Sequence, residues 1–218
     1  VTSASDGSFT LDAGNGNVVS LGGFDTDMSN PLDDLLLITP LRESQAEAVV
    51  SPITTIASFM ENPEDLNAIL GVHASIDLMT TDPVAKKGTS VEYDLLYEKG
   101  NQLTVLAYSL QTAAGETGDT SEDAFSSITK VMEESYETDS TPVDIESKDF
   151  IEEVVDTVVE TTQAAVSTEN KANVTKALAN VLPLIQVRED DSASKSVLNF
   201  ATDTLVKDIQ SLADGTAS

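Results

Sequence analysis

The chain has 218 residues, 38 of them acidic against 11 basic, for a formal net charge of −27, and it contains no cysteine. Binding to nucleic acid or to an anionic bilayer depends on Lys and Arg near phosphate, so no nucleic-acid partner and no membrane insertion is expected. Disulfides, thiolate metal sites and cysteine nucleophiles are ruled out by composition alone.

The length suits one substantial domain, or a small one joined to a larger one. With 40% hydrophobic but only 5% aromatic residues and no Trp, its core must be built from Val, Leu, Ile and Ala. The acids run along the whole chain and do not gather in a tail, which predicts a folded body that is acidic all round. Such a surface repels itself, and salt or divalent cations relieve the repulsion. That favours an extracellular or cell-surface setting, marine or rich in calcium. The ends, Val1-Thr2-Ser3 and Asp214-Gly215-Thr216-Ala217-Ser218, read as cuts through linkers, so flanking domains of a longer chain are expected as partners.

In chain order, residues 1–50 form a β-rich N-terminal segment. Asp6-Gly7 is a turn signal, and Ser8-Phe9-Thr10-Leu11 alternates as a half-buried strand does. A second turn, Ala13 to Asn17, precedes a strand at Val18-Val19-Ser20-Leu21, closed by Gly22-Gly23. The stretch from Phe24 to Pro31 reads as a loop. Leu35 to Ile38 reads as a buried strand stopped by Pro40, and Ala48-Val49-Val50 as a further one. A few short strands are marginal alone and need the helices, or a neighbouring β-domain, to pack on.

Residues 51–218 form the second unit, a helical bundle domain. Ser51 and Pro52 supply a cap and a first-turn proline. Asn62 and Pro63 repeat the arrangement, and Gly71 supplies a left-handed stop. Val72 to Asp82 is irregular, and Asp82-Pro83 opens a helical turn that ends at Gly88. Ser90 opens a helix from Val91 to about Ala114, with Leu96, Leu103, Leu106 and Leu110 on its apolar face and a kink or break expected at Gly100-Asn101. Ser121, Ser147 and Ser167 or Thr168 open three more, with apolar residues spaced at three and four. Pro183 bends or ends the third of these. A last helix spans about Ala193 to Ala213. The fold class is mainly α: an antiparallel bundle of four or more long helices with a short β-rich N-terminal segment.

Candidate chemistry is sparse. His73 is the only histidine, and neither a nucleophile-elbow pattern nor a second ligand surrounds it, so it reads as structural. Glu152, Glu153, Asp156 and Glu160 read as a solvated helix face. A di-iron bundle needs Glu-x-x-His motifs, and there are none. The metal candidate is the loop Asp25-Thr26-Asp27-Met28-Ser29-Asn30. Asp25, Asp27 and Asn30 offer hard oxygen ligands of the kind Ca²⁺ prefers, with Asp33 and Asp34 in reach. It is not an EF-hand, for Asn30 stands where the glycine belongs; an Asx-rich turn without metal is the alternative. The sequon Asn173-Val174-Thr175 falls inside a predicted helix, and Gly14-Asn15-Gly16 lacks the strand–helix context of a dinucleotide loop.

Three runs together carry a resemblance: Asp6 to Leu11, Val18 to Thr26 with its Gly-Gly-x-Asp-Thr, and Val49 to Ile56 with Ser51-Pro52-Ile53-Thr54-Thr55. They resemble modules of very large, acidic, adhesin-type surface proteins of marine bacteria, which are exported by type I secretion and carry calcium-binding repeats. The likeness covers roughly residues 5–85 and departs between Pro31 and Leu41, which is longer and more acidic here. It implies a non-enzymatic extracellular module, a spacer or an adhesion and ligand-binding unit with calcium as its possible cofactor, meeting an unknown surface or small-molecule ligand. It assigns no catalytic residue. The alternative is a bundle that holds a small apolar ligand or pigment in its core, haem being the less favoured, with Met60, Met79 and Met132 as adaptable lining. A hydrolase using Ser and carboxylates is a third and weaker reading.

Overall fold

The computed structural model describes residues 3–4, 7–12, 16–22, 24–25, 30–31, 35–42, 46–115, 120–187 and 191–216. The protein is mainly helical, with a small antiparallel sheet near its N-terminus. Strand β1 (Gly16–Leu21) is followed by a two-residue ladder of β2 (Phe24–Asp25) with β3 (Asn30–Pro31), and then by β4 (Leu36–Leu41), which pairs antiparallel with β1. The stretch read as a loop thus contains a short hairpin. Ser8 to Leu11, expected as a strand, is not part of a strand among the described residues, and Phe9 and Leu11 are exposed. Ala48 to Val50 is likewise not a strand; its described tie is one bond from Val49 N–H to Met79 O (2.9 Å).

Pro40 does not stop β4, and parity explains why. Gly22 N–H donates to Leu35 O (2.9 Å), which turns the backbone groups of Leu35, Leu37, Thr39 and Leu41 towards β1. Those of Leu36, Ile38 and Pro40 face the other way, where a missing N–H costs no ladder bond. That outer edge meets helices. Leu36 N–H donates to Ser121 Oγ (3.0 Å), and Ile38 N–H to Thr55 Oγ1 (2.9 Å), while Thr54 Oγ1 donates to Ile38 O (2.9 Å).

Both threonines belong to α1 (Pro52–Phe59), which opens on a reciprocal cap. Ser51 Oγ accepts from Thr54 N–H (3.2 Å), and Thr54 Oγ1 accepts from Ser51 N–H (2.9 Å). Thr55 Oγ1 donates to Ser51 O (2.7 Å). After Asn62 the chain makes a 3-10 turn, Pro63–Asp65, and then α2 (Leu66–Leu70). Asn62 makes no side-chain cap; proline at the first position starts the turn without one. Gly71 does end α2 in the left-handed region (φ 69°), and a Cβ there would meet Pro142 Cβ at 3.2 Å.

Asp82 Oδ1 accepts from Val84 and Ala85 N–H and so caps α3 (Pro83–Lys86). Ser90 caps α4 (Val91–Ala114) through Tyr93 N–H, and α4 runs unbroken through Gly100. α5 (Thr120–Asp139) follows. Ser121, expected as its cap, lies inside it and serves β4 instead. Ser147 and Ser167 cap α6 (Lys148–Thr162) and α7 (Thr168–Val181). Pro183 sits in a 3-10 turn, Leu182–Leu184, that ends α7. The last helical stretch divides into α8 (Asp191–Asn199), a π-helical segment (Phe200–Leu205) and α9 (Val206–Ala213).

Among the described residues α4 is the axis of the bundle. It packs against α1, α3, α5, α6 and α9, while α7 bridges α6 and α9. Leu103, Val105, Leu106 and Ala107 are wholly buried, as are Phe125 and Ile128 of α5 and Ile151 and Val154 of α6. Full burial of each such large aliphatic contributes about 1.5–3 kcal/mol. α4 also buries Thr104, whose hydroxyl is satisfied by Gly100 O (2.9 Å). Gln102 Nε2 donates to Glu146 Oε1 (2.7 Å), and Lys99 Nζ lies 3.7 Å from the same carboxylate oxygen.

Thr54→Val should destabilise the fold by about 1–3 kcal/mol, because it leaves Ser51 N–H buried without a partner and Ile38 O with only the longer bond from Thr55 Oγ1 (3.3 Å). Thr54→Ser keeps the hydroxyl and should cost about 1 kcal/mol or less. Urea denaturation of the two variants beside the wild type measures the difference.

Candidate functional site: a cleft beneath the N-terminal segment

A cleft of about 1170 Å³ opens between residues 7–12 and the helical body. The sheet supplies one wall. Val18 and Ser20 of β1 share a face with Leu37 and Leu41 of β4, and all four line it. The start of α1 (Ser51 to Ile53) and the beginning of α3 supply the second wall. Tyr97, Gly100, Asn101 and Thr104 of α4 supply the third.

The wall of α4 is more apolar than its residue types suggest. Thr104 spends its hydroxyl proton on Gly100 O, and Asn101 Nδ2 donates to Tyr97 O (3.0 Å). Tyr97 is almost buried, and Lys87 Nζ lies 4.7 Å from its ring centroid. Charge stays at the mouth, where Asp12, Arg42, Glu47 and Asp82 are exposed. Arg42 pairs with Asp77 (3.4 Å) across the rim. The arrangement offers a ligand both apolar surface and hydroxyl and amide groups.

Asp25 and Asn30 are register partners in the β2–β3 ladder, so their backbones stand opposite one another. Asp27, Asp33 and Asp34 lie outside the described residues. Carboxylate and amide oxygens are the donor chemistry calcium takes. Among the described residues no group of three or more His, Asp or Glu side chains gathers in metal-binding geometry.

His73 is exposed, and its Nδ1 lies 2.8 Å from Ser75 Oγ, two residues on. Ser75 N–H also donates to that nitrogen (3.2 Å), which makes the pair a local turn. Glu92, at the start of α4, is held below the usual carboxylate range first by its own backbone N–H, then by the Ser90 hydroxyl and the nearby His73. Glu152, Glu153, Asp156 and Glu160 are exposed on α6, and Lys171 of α7 pairs with Asp156. Met60, Met79 and Met132 are packed into the core, and none of them lines the cleft. Among the described residues no helix is long and apolar enough to cross a membrane.

No protein-family model matches the chain, and none of the curated proteins or solved structures with which it was compared matches it either.

Sequence reasoning missed the cleft because its walls come from residues far apart in the chain. Gly100 was the available signal. A glycine amid the long helix was read as a kink, whereas it opens the wall: a Cβ there would sit 3.8 Å from Ile53 Cδ1. That is ordinary contact, so Gly100→Ala should stabilise the protein by about 0.5–1 kcal/mol through the entropy of the unfolded chain and helix propensity. A higher melting temperature with an unchanged circular dichroism spectrum is the expected result.

Proposed function

We propose that the chain is a non-enzymatic module of a large extracellular surface protein of the adhesin type, serving as a spacer and ligand-binding unit, with its ligand held in the cleft. The cleft carries this reading: its volume is in the range of small-molecule sites or slightly above, and its lining joins apolar side chains such as Val18, Leu37, Leu41 and Ile53 to polar groups that can orient a ligand. The net charge of −27 supports a salt-rich or calcium-rich setting, where the self-repulsion of such a surface is screened. In the same reading calcium stabilises the fold at the β2–β3 hairpin, with Asp25, Asp27 and Asn30 as ligands. The opposed backbones of Asp25 and Asn30 support that placement.

Two measurements test the two halves. Nile red, an uncharged apolar probe, should bind the purified protein with a blue-shifted emission. Gly100→Leu, which projects a side chain into the cleft, should weaken binding by about tenfold, or ~1.4 kcal/mol. Equal binding by the variant would remove the cleft from the proposal. For calcium, thermal unfolding is followed in EDTA, in millimolar Ca²⁺ and in NaCl of matched ionic strength. Ca²⁺ about 100-fold above its Kd should add about 3 kcal/mol beyond the NaCl control, and Asp25→Asn together with Asp27→Asn should abolish the gain. Identical shifts in Ca²⁺ and NaCl would reduce the effect to charge screening.

A further inference from the structure

The two edges of the β1–β4 sheet are treated very differently. The parity that turns Leu36, Ile38 and Pro40 away from β1 also turns the backbone groups of Asn17, Val19 and Leu21 away from β4. The β4 edge is closed by Ser121, Thr54 and Thr55, and at Pro40 by the lack of a donor. Among the described residues nothing is hydrogen-bonded to the β1 edge. Natural edge strands carry Lys, Pro, a bulge or an inward charge against unwanted pairing. Gly16–Leu21 has no proline and no charged residue, although the chain is rich in acids. Val19 and Leu21, on the face opposite the cleft, are 55% and 65% exposed.

We infer that the β1 edge is a strand-addition site for an extended, neutral-to-basic peptide of alternating apolar and polar residues. Pairing with the outward N–H and C=O groups of Asn17, Val19 and Leu21 supplies the affinity. The side chains of the added strand fall alternately beside Val18 and Ser20 at the cleft wall and over Val19 and Leu21 on the other face. Charge selects the peptide. Asp12, Glu47 and Asp82 line the cleft that Val18 and Ser20 of β1 also line, Arg42 beside them is paired with Asp77, and Lys87 lies over the Tyr97 ring. A basic peptide is therefore attracted and an acidic one repelled. A second copy of the chain is the poorer occupant. Two bodies of charge −27 repel. The site is backbone, not cavity, and stands independently of the ligand proposed for the cleft.

The test is residue-resolved amide exchange on the full chain with the synthetic peptides KTVTVTVK and ETVTVTVE. The basic peptide, at about ten times its Kd, should slow exchange at Asn17, Val19 and Leu21 by about tenfold. Amides at Val18 and Ser20, already bonded to β4, should not change. The acidic peptide should give no protection at the same concentration. Val19→Pro removes an outward donor at a position with the parity of Pro40, and should abolish the effect. Val19→Lys leaves the backbone intact and places a like charge beside the basic peptide, so it should weaken binding even if the proline variant fails to fold. Gly100→Leu should leave the protection in place, which separates this site from the cleft. The proposal is overturned by protection equal for both peptides, by none for the basic one, or by no loss in Val19→Lys. Protection of the same amides that rises with protein concentration alone would also overturn it, and would assign the edge to a second copy.

Discussion

Two adjacent threonine hydroxyls hold the sheet to the bundle. Thr54 donates to Ile38 O and accepts from Ser51 N–H, while Thr55 accepts from Ile38 N–H and donates to Ser51 O. Every donor and acceptor in this set has a partner, and Thr54, Thr55 and Ser51 are all buried. A buried peptide group left unpaired costs about 1–3 kcal/mol, so the set is strongly all-or-none. It fixes where β4 lies on α1. It thereby fixes which face of the sheet looks into the cleft, and which edge of β1 is left towards solvent.

The threonine pair also shows what could and could not be read from sequence. Ser51-Pro52 announces a helix start by local chemistry alone, and the helix begins there. The same holds for Ser90, Ser147 and Ser167, whose hydroxyls cap the helices that follow them. Ser121 looks identical in sequence, yet its hydroxyl bonds a strand 85 residues away. Nothing local distinguishes a serine that caps its own helix from one that closes a distant edge. Pro40 failed for a related reason: whether proline breaks a strand depends on which side its nitrogen faces, and that is set by the partner strand. Ser8 to Leu11 alternates correctly, but alternation records only compatibility with a strand, not the presence of a neighbour to pair with.

The central helix illustrates a different limit. α4 is enclosed by its neighbours over most of its C-terminal half, so its polar residues are buried along with its leucines. Periodicity weakens when a helix has no solvent side. Its predicted apolar positions were correct, but its role as the axis of the bundle was not legible. The cleft wall at Gly100 was hidden with it. The calcium loop was legible as composition only, because oxygen-rich turns look alike whether or not they bind an ion. The −27 charge was plain from the start, and it bears on setting and partner choice more than on fold.

The bond between Leu36 and Ser121 has a consequence for the order in which the protein assembles. The sheet precedes α1 and α5 in the chain, so it leaves the ribosome before they exist to meet it. Its outer edge meets Thr54 and Thr55 first, but Leu36 N–H has no partner until the chain has been made as far as Ser121, and closing that long loop is entropically slow. The sheet is thus locked fully in place only after helices that follow it in the chain have been made. Until α5 is made, the outer edge of β4 is closed at Ile38 alone, and Leu36 N–H is left to water.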